Sequence, residues 1–382
     1  MKNKTAVVLI LAFWMMLSHE SPGQNKSKIS YFDSLDHKLD MSDVLIEANG
    51  FIPVPIIVTE PALGGFGGGI VPVFITKRKP FTSRDGKIVR IPPDVTGGAA
   101  LYTVNNTWAA FAFRSGTWLK AGSKYRLGGG YANINMAFYR TTAAGHEFST
   151  EFNLRTVPLV GSLLKRFGNS PWSAGLGYTF LHTQVRVDGA DLPEFVRDKE
   201  IKSTVSMPGL TLEYDSRDNI FTPNKGIRSQ FNVNFSDDAF GSDYNYQNLN
   251  GFIYAYFKMH KNVITGLRYE MQQVFGDVPF YLEPYINLRG VPTARYQSDI
   301  TSVAETEVRW DIVPRWSAVG FAGAGKAYEK WSEFNQANWV VSGGAGFRYL
   351  IARKFKLRTG LDLARGPEQW AYYIVFGSSW IR

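Results

Sequence analysis

A chain of 382 residues with no cysteine has neither a disulfide framework nor thiolate chemistry open to it. Its hydrophobic content of 45% is ordinary, and beyond the N-terminus no window reaches the ~18 apolar residues of a spanning helix. The net charge of +9 is scattered and joins no recognisable nucleic-acid module, which favours attraction to anionic lipid headgroups and a charged interior over a nucleic-acid partner.

Residues 1–23 read as a secretory signal. Lys2 and Lys4 form a basic start, Ala6 to Leu17 is apolar but too short to span a bilayer, and Ser21-Pro22-Gly23 offers small residues for cleavage. Residues 24–52 form a short polar segment with an acidic patch, Asp33 to Asp40, expected in the periplasm. Pro53 to Pro61 precedes a glycine run, Gly64 to Gly69. That run lacks the Lys-Ser/Thr of a phosphate loop, and no helix pattern follows it. It reads instead as the opening of a first strand, 64–76, weakened by its glycines.

Further strands are expected at 86–92, 97–104, 107–119, 124–139, 147–167, 172–187, 203–214, 226–236, 246–259, 262–275, 302–312, 316–326, 339–351, 354–365 and 370–380. Several alternate cleanly. Ile227, Phe231, Val233 and Phe235 oppose Arg228, Gln230, Asn232 and Asn234. Leu357, Leu361 and Leu363 oppose Lys356, Arg358 and Asp362. Leu249, Ile253, Ala255, Phe257 and Met259 oppose Asn248 and Asn250. A barrel in lipid turns its apolar side chains outward and its polar ones into a wet lumen. The aromatic surplus, 15% of the chain, suits interfacial girdles. Strand 86–92 is included because single-chain bacterial barrels have even strand numbers. Short turns at 121–123, 168–170 and 260–262 then share one rim, and the longer 188–202, 237–245 and 276–301 share the other. Asp215 to Gly226 is a longer connection on the short-turn rim, where Pro223 and Gly226 shape a turn and Arg217 pairs with a neighbouring acid.

The most informative stretch is Ile286 to Gln297 followed by Thr301 to Ile312. The first half is an irregular loop around Leu288-Arg289-Gly290. In the second half Ala304, Thr306, Val308, Trp310 and Ile312 point one way, and Val303, Glu305, Glu307, Arg309 and Asp311 point the other. A loop arginine beside a row of lumen carboxylates suggests a loop folded inward and held by charge-assisted hydrogen bonds.

These residues resemble the BamA/TamA family of outer-membrane proteins, the bacterial surface antigen barrels, in which a (V/L)-R-G-(F/Y) loop enters the lumen and its Arg meets an acid on the next strand. Arg289 and Gly290 match the loop and Glu307 matches the acid, with Glu305, Arg309 and Asp311 as possible supporting residues. Val291 stands where the family prefers an aromatic, and Gly323 where many members carry a second Asp. The contact is therefore expected to fall almost wholly on Glu307. Asp-x-Arg ahead of Pro-x-x-Gly at 215–226 adds to the likeness. Residues 370–380 resemble the C-terminal strand that barrel-assembly machinery recognises, with Trp370, Tyr372, Ile374, Phe376 and Trp380 on one face and Ile381 and Arg382 following. Residues 24–52 are too short for one of the family's soluble periplasmic (POTRA) modules. A weak first strand suits the lateral seam that family members show between first and last strands.

The expectation is an all-β fold: a 16-stranded antiparallel transmembrane β-barrel over residues 53–382, in the bacterial outer membrane. The resemblance implies a role in protein insertion, assembly or translocation, with outer-membrane lipids and unfolded outer-membrane protein clients as partners. The alternatives are an accessory subunit of an outer-membrane complex and a lipid-acting barrel enzyme. Against the enzyme, His37, His146, His182 and His260 sit in no Ser or metal-ligand motif, so neither catalysis nor a metal or cofactor is expected.

Overall fold

The computed structural model describes residues 30–47, 50–76, 81–82, 88–89, 94–118, 122–141, 147–187, 196 and 198–380. The expected signal, residues 1–23, lies outside them. Sixteen strands form one antiparallel sheet in chain order. They are β1 Gly50–Val58, β2 Gly67–Thr76, β3 Asp94–Thr103, β4 Trp108–Trp118, β5 Ser123–Thr141, β6 Glu147–Arg166, β7 Trp172–Arg186 and β8 Lys202–Asp215. Then come β9 Gly226–Ser236, β10 Tyr246–His260, β11 Val263–Gly276, β12 Ile300–Asp311, β13 Trp316–Tyr328, β14 Val340–Ala352, β15 Leu357–Arg365 and β16 Trp370–Phe376. The sheet curls into a nearly closed barrel. Among the described residues no ladder joins β1 to β16.

Period-2 alternation decides the faces. Along β12, Val303, Glu305 and Arg309 are buried inside while Val308 and Trp310 are exposed. On β9, Arg228 is buried inside and Ile227, Phe231 and Phe235 are exposed. In a bilayer this outer surface meets hydrocarbon, and pairing along the sheet satisfies the backbone that lipid cannot solvate. Aromatic pairs mark the two rims on the outside: Trp108 with Tyr131 at 5.3 Å on one, and Trp172 with Tyr214 and Trp316 with Tyr349, each at 4.9 Å, on the other.

The count of sixteen stands, but one member differs from the sequence reading. Of 86–92, the described residues Ile88–Val89 pair with Phe81–Thr82 in a separate hairpin outside the barrel sheet. The missing strand is β1, where Pro53 pairs with Pro72 and Pro55 with Ile70. Two prolines argue against a strand needed on both sides, because each lacks a ladder donor. An edge strand pairs on one side only and tolerates them. The segment 64–76 thus holds the second strand.

The last strand is shorter than expected. Pairing with β15 stops at Phe376, and Gly377 turns the chain at φ +80. Trp370, Tyr372 and Phe376 face outward, but Trp380 lies inside at 5% exposure. Its seat is a stack of rings on the inner face of β10, with Tyr254 at 5.8 Å and Tyr256 at 5.9 Å. That face carries Asn248 and Asn250 further along, so the lumen wall is polar in one stretch and aromatic in another.

Candidate functional site

The connection between β11 and β12, residues 277–299, folds back into the lumen. Tyr285 bridges Gln297, and the Ile286 amide donates to the Tyr296 carbonyl at 3.0 Å, so the segment forms a narrow ribbon. Ile286 and Leu288 are 1% and 2% exposed and pack with Val291 against Val303 and Val340 of the inner wall. Nearer the long-loop rim, Phe280 inserts between Phe138 and Phe152 of the extended β5 and β6, with ring centroids at 4.9 and 5.0 Å. Apolar burial brings the ribbon in, and its apex then presents Arg289.

Arg289 is fully engaged. Its Nε and Nη2 donate to Glu305 Oε1 at 2.8 and 2.6 Å. Its Nη1 donates to Glu307 Oε2 at 2.9 Å, to Asp362 Oδ2 at 2.7 Å and to Ser379 Oγ at 3.0 Å. The guanidinium lies over the Phe321 ring, 3.4 Å from its centroid. Two further arginines complete the network. Arg268 donates to Glu305 and Glu270, each at 2.8 Å, and to the Asn287 carbonyl at 2.9 Å. Arg348 forks onto Asp362 and also reaches Ser379 Oγ at 3.1 Å. The Trp380 indole donates to Glu305 Oε2 at 2.9 Å. Planar guanidiniums suit this work because each offers several donors in a fixed fork.

Arg289, Gly290, Glu305 and Glu307 therefore come together. Arg309 and Asp311 do not touch Arg289. They pair with each other at 3.1 Å and lie toward the short-turn rim, where Arg358 also reaches Asp311 at 3.3 Å. The expectation that contact falls almost wholly on Glu307 is corrected, since Arg289 meets three carboxylates. At Gly323 a Cβ would stand 2.7 Å from Leu288 Cδ2, so the ribbon itself occupies the space where a side chain would project. The further acid comes from Asp362, two strands beyond β13. Alternation in 357–365 marked Asp362 as inward-facing, but nothing local pointed to its partners. Trp380 had no inward signal, because continued alternation placed it outside, and although the same alternation puts Ser379 on the inner face, nothing local pointed to its partners.

Gly290 adopts φ +88, and its amide donates to the Tyr373 hydroxyl at 2.9 Å. A Cβ there would lie 2.7 Å from the Gly366 nitrogen. Gly290→Ala combines left-handed strain of roughly 1–2 kcal/mol with that backbone collision. It should speed protease nicking within 286–297 while the barrel still shows its heat-modifiable band. Wild-type nicking kinetics would contradict this account of the apex.

The ribbon also touches both sides of the unpaired edge. The Thr293 amide donates to Glu60, just after β1, at 3.0 Å. Across the gap, Tyr296 bonds to Glu368, and Arg295 lies 3.5 Å from the same carboxylate, in the turn before β16. From the other rim, residues 216–225 close in beneath. Arg217 forks onto Asp215 at 2.9 and 2.8 Å, and the Ser378 amide donates to the Phe221 carbonyl at 2.6 Å. Among the described residues no group of His, Cys, Asp or Glu is placed to hold a metal ion. The His182 ring bonds to Thr204 Oγ1 at 3.1 Å, and His146 lies outside the described residues.

A family model described as the Omp85 superfamily domain matches residues 97–359. No curated protein sequence matches the chain. Among solved structures, BamA from Haemophilus ducreyi lacking POTRA domains 1-3 is similar with a TM-score of 0.58 and 11% identity, over 85% of this chain and 69% of that one. CdiB from Escherichia coli gives 0.57 and 11%, over 85% and 61%. CdiB from Acinetobacter baumannii gives 0.55 and 9%, over 86% and 59%. At such identities the likeness is one of fold, and the chain spans under two thirds of either CdiB.

Proposed function

The chain belongs to the Omp85 superfamily of bacterial outer-membrane barrels, and on that premise we propose that it inserts, assembles or translocates polypeptide at the gap between β1 and β16. The observation that carries this reading is the ribbon's grip on both sides of that gap, at Glu60 and at Glu368, with the lumen filled behind it. A filled lumen disfavours passage through the middle. An unpaired sheet edge presents N–H and C=O groups that an extended chain can complete as an added strand. β16 contains no proline and presents its backbone donors fully, whereas β1 lacks two of them. Withdrawal of the ribbon would release both edges together. Arg289, Glu305, Glu307 and Asp362 are then the latch that holds the resting state. No catalytic step or cofactor enters this mechanism.

Photo-crosslinking residues placed at Ile57 on β1 and Phe376 on β16, with Leu267 on β11 as a lipid-facing control, test the reading in native membranes. All three side chains are exposed. Adducts with newly made outer-membrane proteins should form at 57 and 376 and not at 267. One stoichiometric adduct of fixed mass, independent of client synthesis, would instead identify an accessory subunit. Indistinguishable patterns at all three positions would refute a role for the gap.

A further inference from the structure

Residues 30–43 clasp the short-turn rim at the 312–315 and 349–354 turns. The Asp33 amide donates to the Lys38 carbonyl and the Asp40 amide to the Tyr31 carbonyl, each at 2.9 Å, with Phe32 bridging Leu39 between them. This small ribbon alternates like any strand pair. Asp33 and Asp40 point inward and are buried, while Phe32 and Leu39 point outward, 61% and 44% exposed, with Leu35 in the turn 71% exposed. The inward face closes around Arg315, in the β13-side turn at 312–315, which is 2% exposed. Its nitrogens donate to Asp33 at 2.6 Å, Asp36 at 2.6 Å and Asp40 at 2.7 Å, and to the Leu39 and Leu350 carbonyls at 3.2 and 3.0 Å. Hydrogen bonding from Arg315 holds the Asp36 carboxyl down at about 2. Arg353 adds a second bond to Asp33 at 2.9 Å, and the Met41 amide donates to the Ile351 carbonyl at 2.6 Å.

The acids are thus spent on the rim, and the ribbon is left with an apolar outer face. Its position says what that face meets. The Tyr349 hydroxyl donates to the Leu39 carbonyl at 2.9 Å. Tyr349 packs edge-on against Trp316, an outward-facing ring of the short-turn girdle. Leu39 therefore continues the lipid-facing belt of β13 and β14 at the depth where aromatic residues sit among headgroups. Ile312 and Val313 in the turn beside Arg315 are also half exposed, which extends the same apolar surface. Lys38 flanks it with an exposed basic side chain, while Lys354 pairs with Asp43 at 2.8 Å and Lys356 with Asp218 at 3.8 Å. We propose that residues 31–39 form an interfacial lipid anchor, seating Phe32, Leu35 and Leu39 in the headgroup zone of the periplasmic leaflet, with Lys38 against anionic headgroups. This inference does not depend on what the gap handles.

The absence of native cysteine allows single labels in the full chain. Nitroxide would be attached at Phe32→Cys or Leu35→Cys in vesicles of phosphatidylethanolamine and phosphatidylglycerol, with Leu267→Cys as a lipid reference and Ala239→Cys, in an exposed long-rim loop, as a water reference. Barrel integrity is checked by heat-modifiability. Labels at 32 and 35 should favour oxygen over a water-soluble nickel complex several-fold more than the label at 239, approaching the label at 267. Water-like accessibility at both positions overturns the anchor. Labels that are water-exposed in vesicles but immobilised in native outer membranes overturn it too, and would assign the face to a protein partner.

Discussion

Replacing Arg289 with alanine should lower the barrel's stability by roughly 3–5 kcal/mol, the usual cost of removing one partner from a buried ion pair. The loss sits in what remains: Glu305, Glu307 and Asp362 each lose a donor inside the lumen. Arg268 and Arg348 still neutralise two of these acids, which keeps the cost within that range. Arg289→Lys should be nearly as damaging. A compact ammonium cannot reach three carboxylates as one flat fork does. The readouts are the temperature at which the folded band disappears on gels and the rate of nicking within 286–297. Double-mutant cycles with Glu305→Gln, Glu307→Gln and Asp362→Asn should each give a coupling of about 0.5–3 kcal/mol, because each single change already removes a shared contact. Strict additivity with Glu305 and Asp362 would sink the three-acid latch, and coupling confined to Glu307 would restore the simpler pairing expected from sequence.

Deleting residues 286–297 should convert a low, flickering conductance in planar bilayers into a large steady one. A 16-stranded barrel is wide enough to hold an aqueous channel once nothing fills it. Here the filling consists of Ile286, Leu288, Val291 and Ala294 packed on the inner wall, with Arg289 anchoring the apex. Residues 216–225 and the Ser378–Trp380 tail narrow the other end, but the tail loses Arg289 as a partner in the same deletion. Large porin-like currents from the intact protein, or an unchanged trace after the deletion, would count against a plugged lumen.

Which features were legible beforehand follows the range over which each is encoded. Alternation is local, so the outward and inward sets on β9, β12 and β15 could be read from neighbouring residues alone, whereas the count of sixteen came from the parity rule with 86–92 standing in the place of β1. Arg289 and Glu307 were legible together because the loop runs directly into the strand that carries the acid, so only 18 residues separate the partners. Three features were decided only by the closed barrel. Pro53 and Pro55 argue against a strand paired on both sides, and only the place of β1 at the sheet edge makes them tolerable. Asp362 and Ser379 stand 73 and 90 residues from Arg289 and reach it only because the inward ribbon crosses to the last strands of the sheet. The acids Asp33, Asp36 and Asp40 lie 275 to 282 residues from Arg315 and become its partners only when the fold brings the segment before β1 against the 312–315 turn. Side-chain direction within a strand is a property of two successive residues, and the sequence carries it. Which inward side chains meet across the lumen depends on closure, on the turn at Gly377 and on how deeply a loop inserts, and those are settled by packing over the whole barrel.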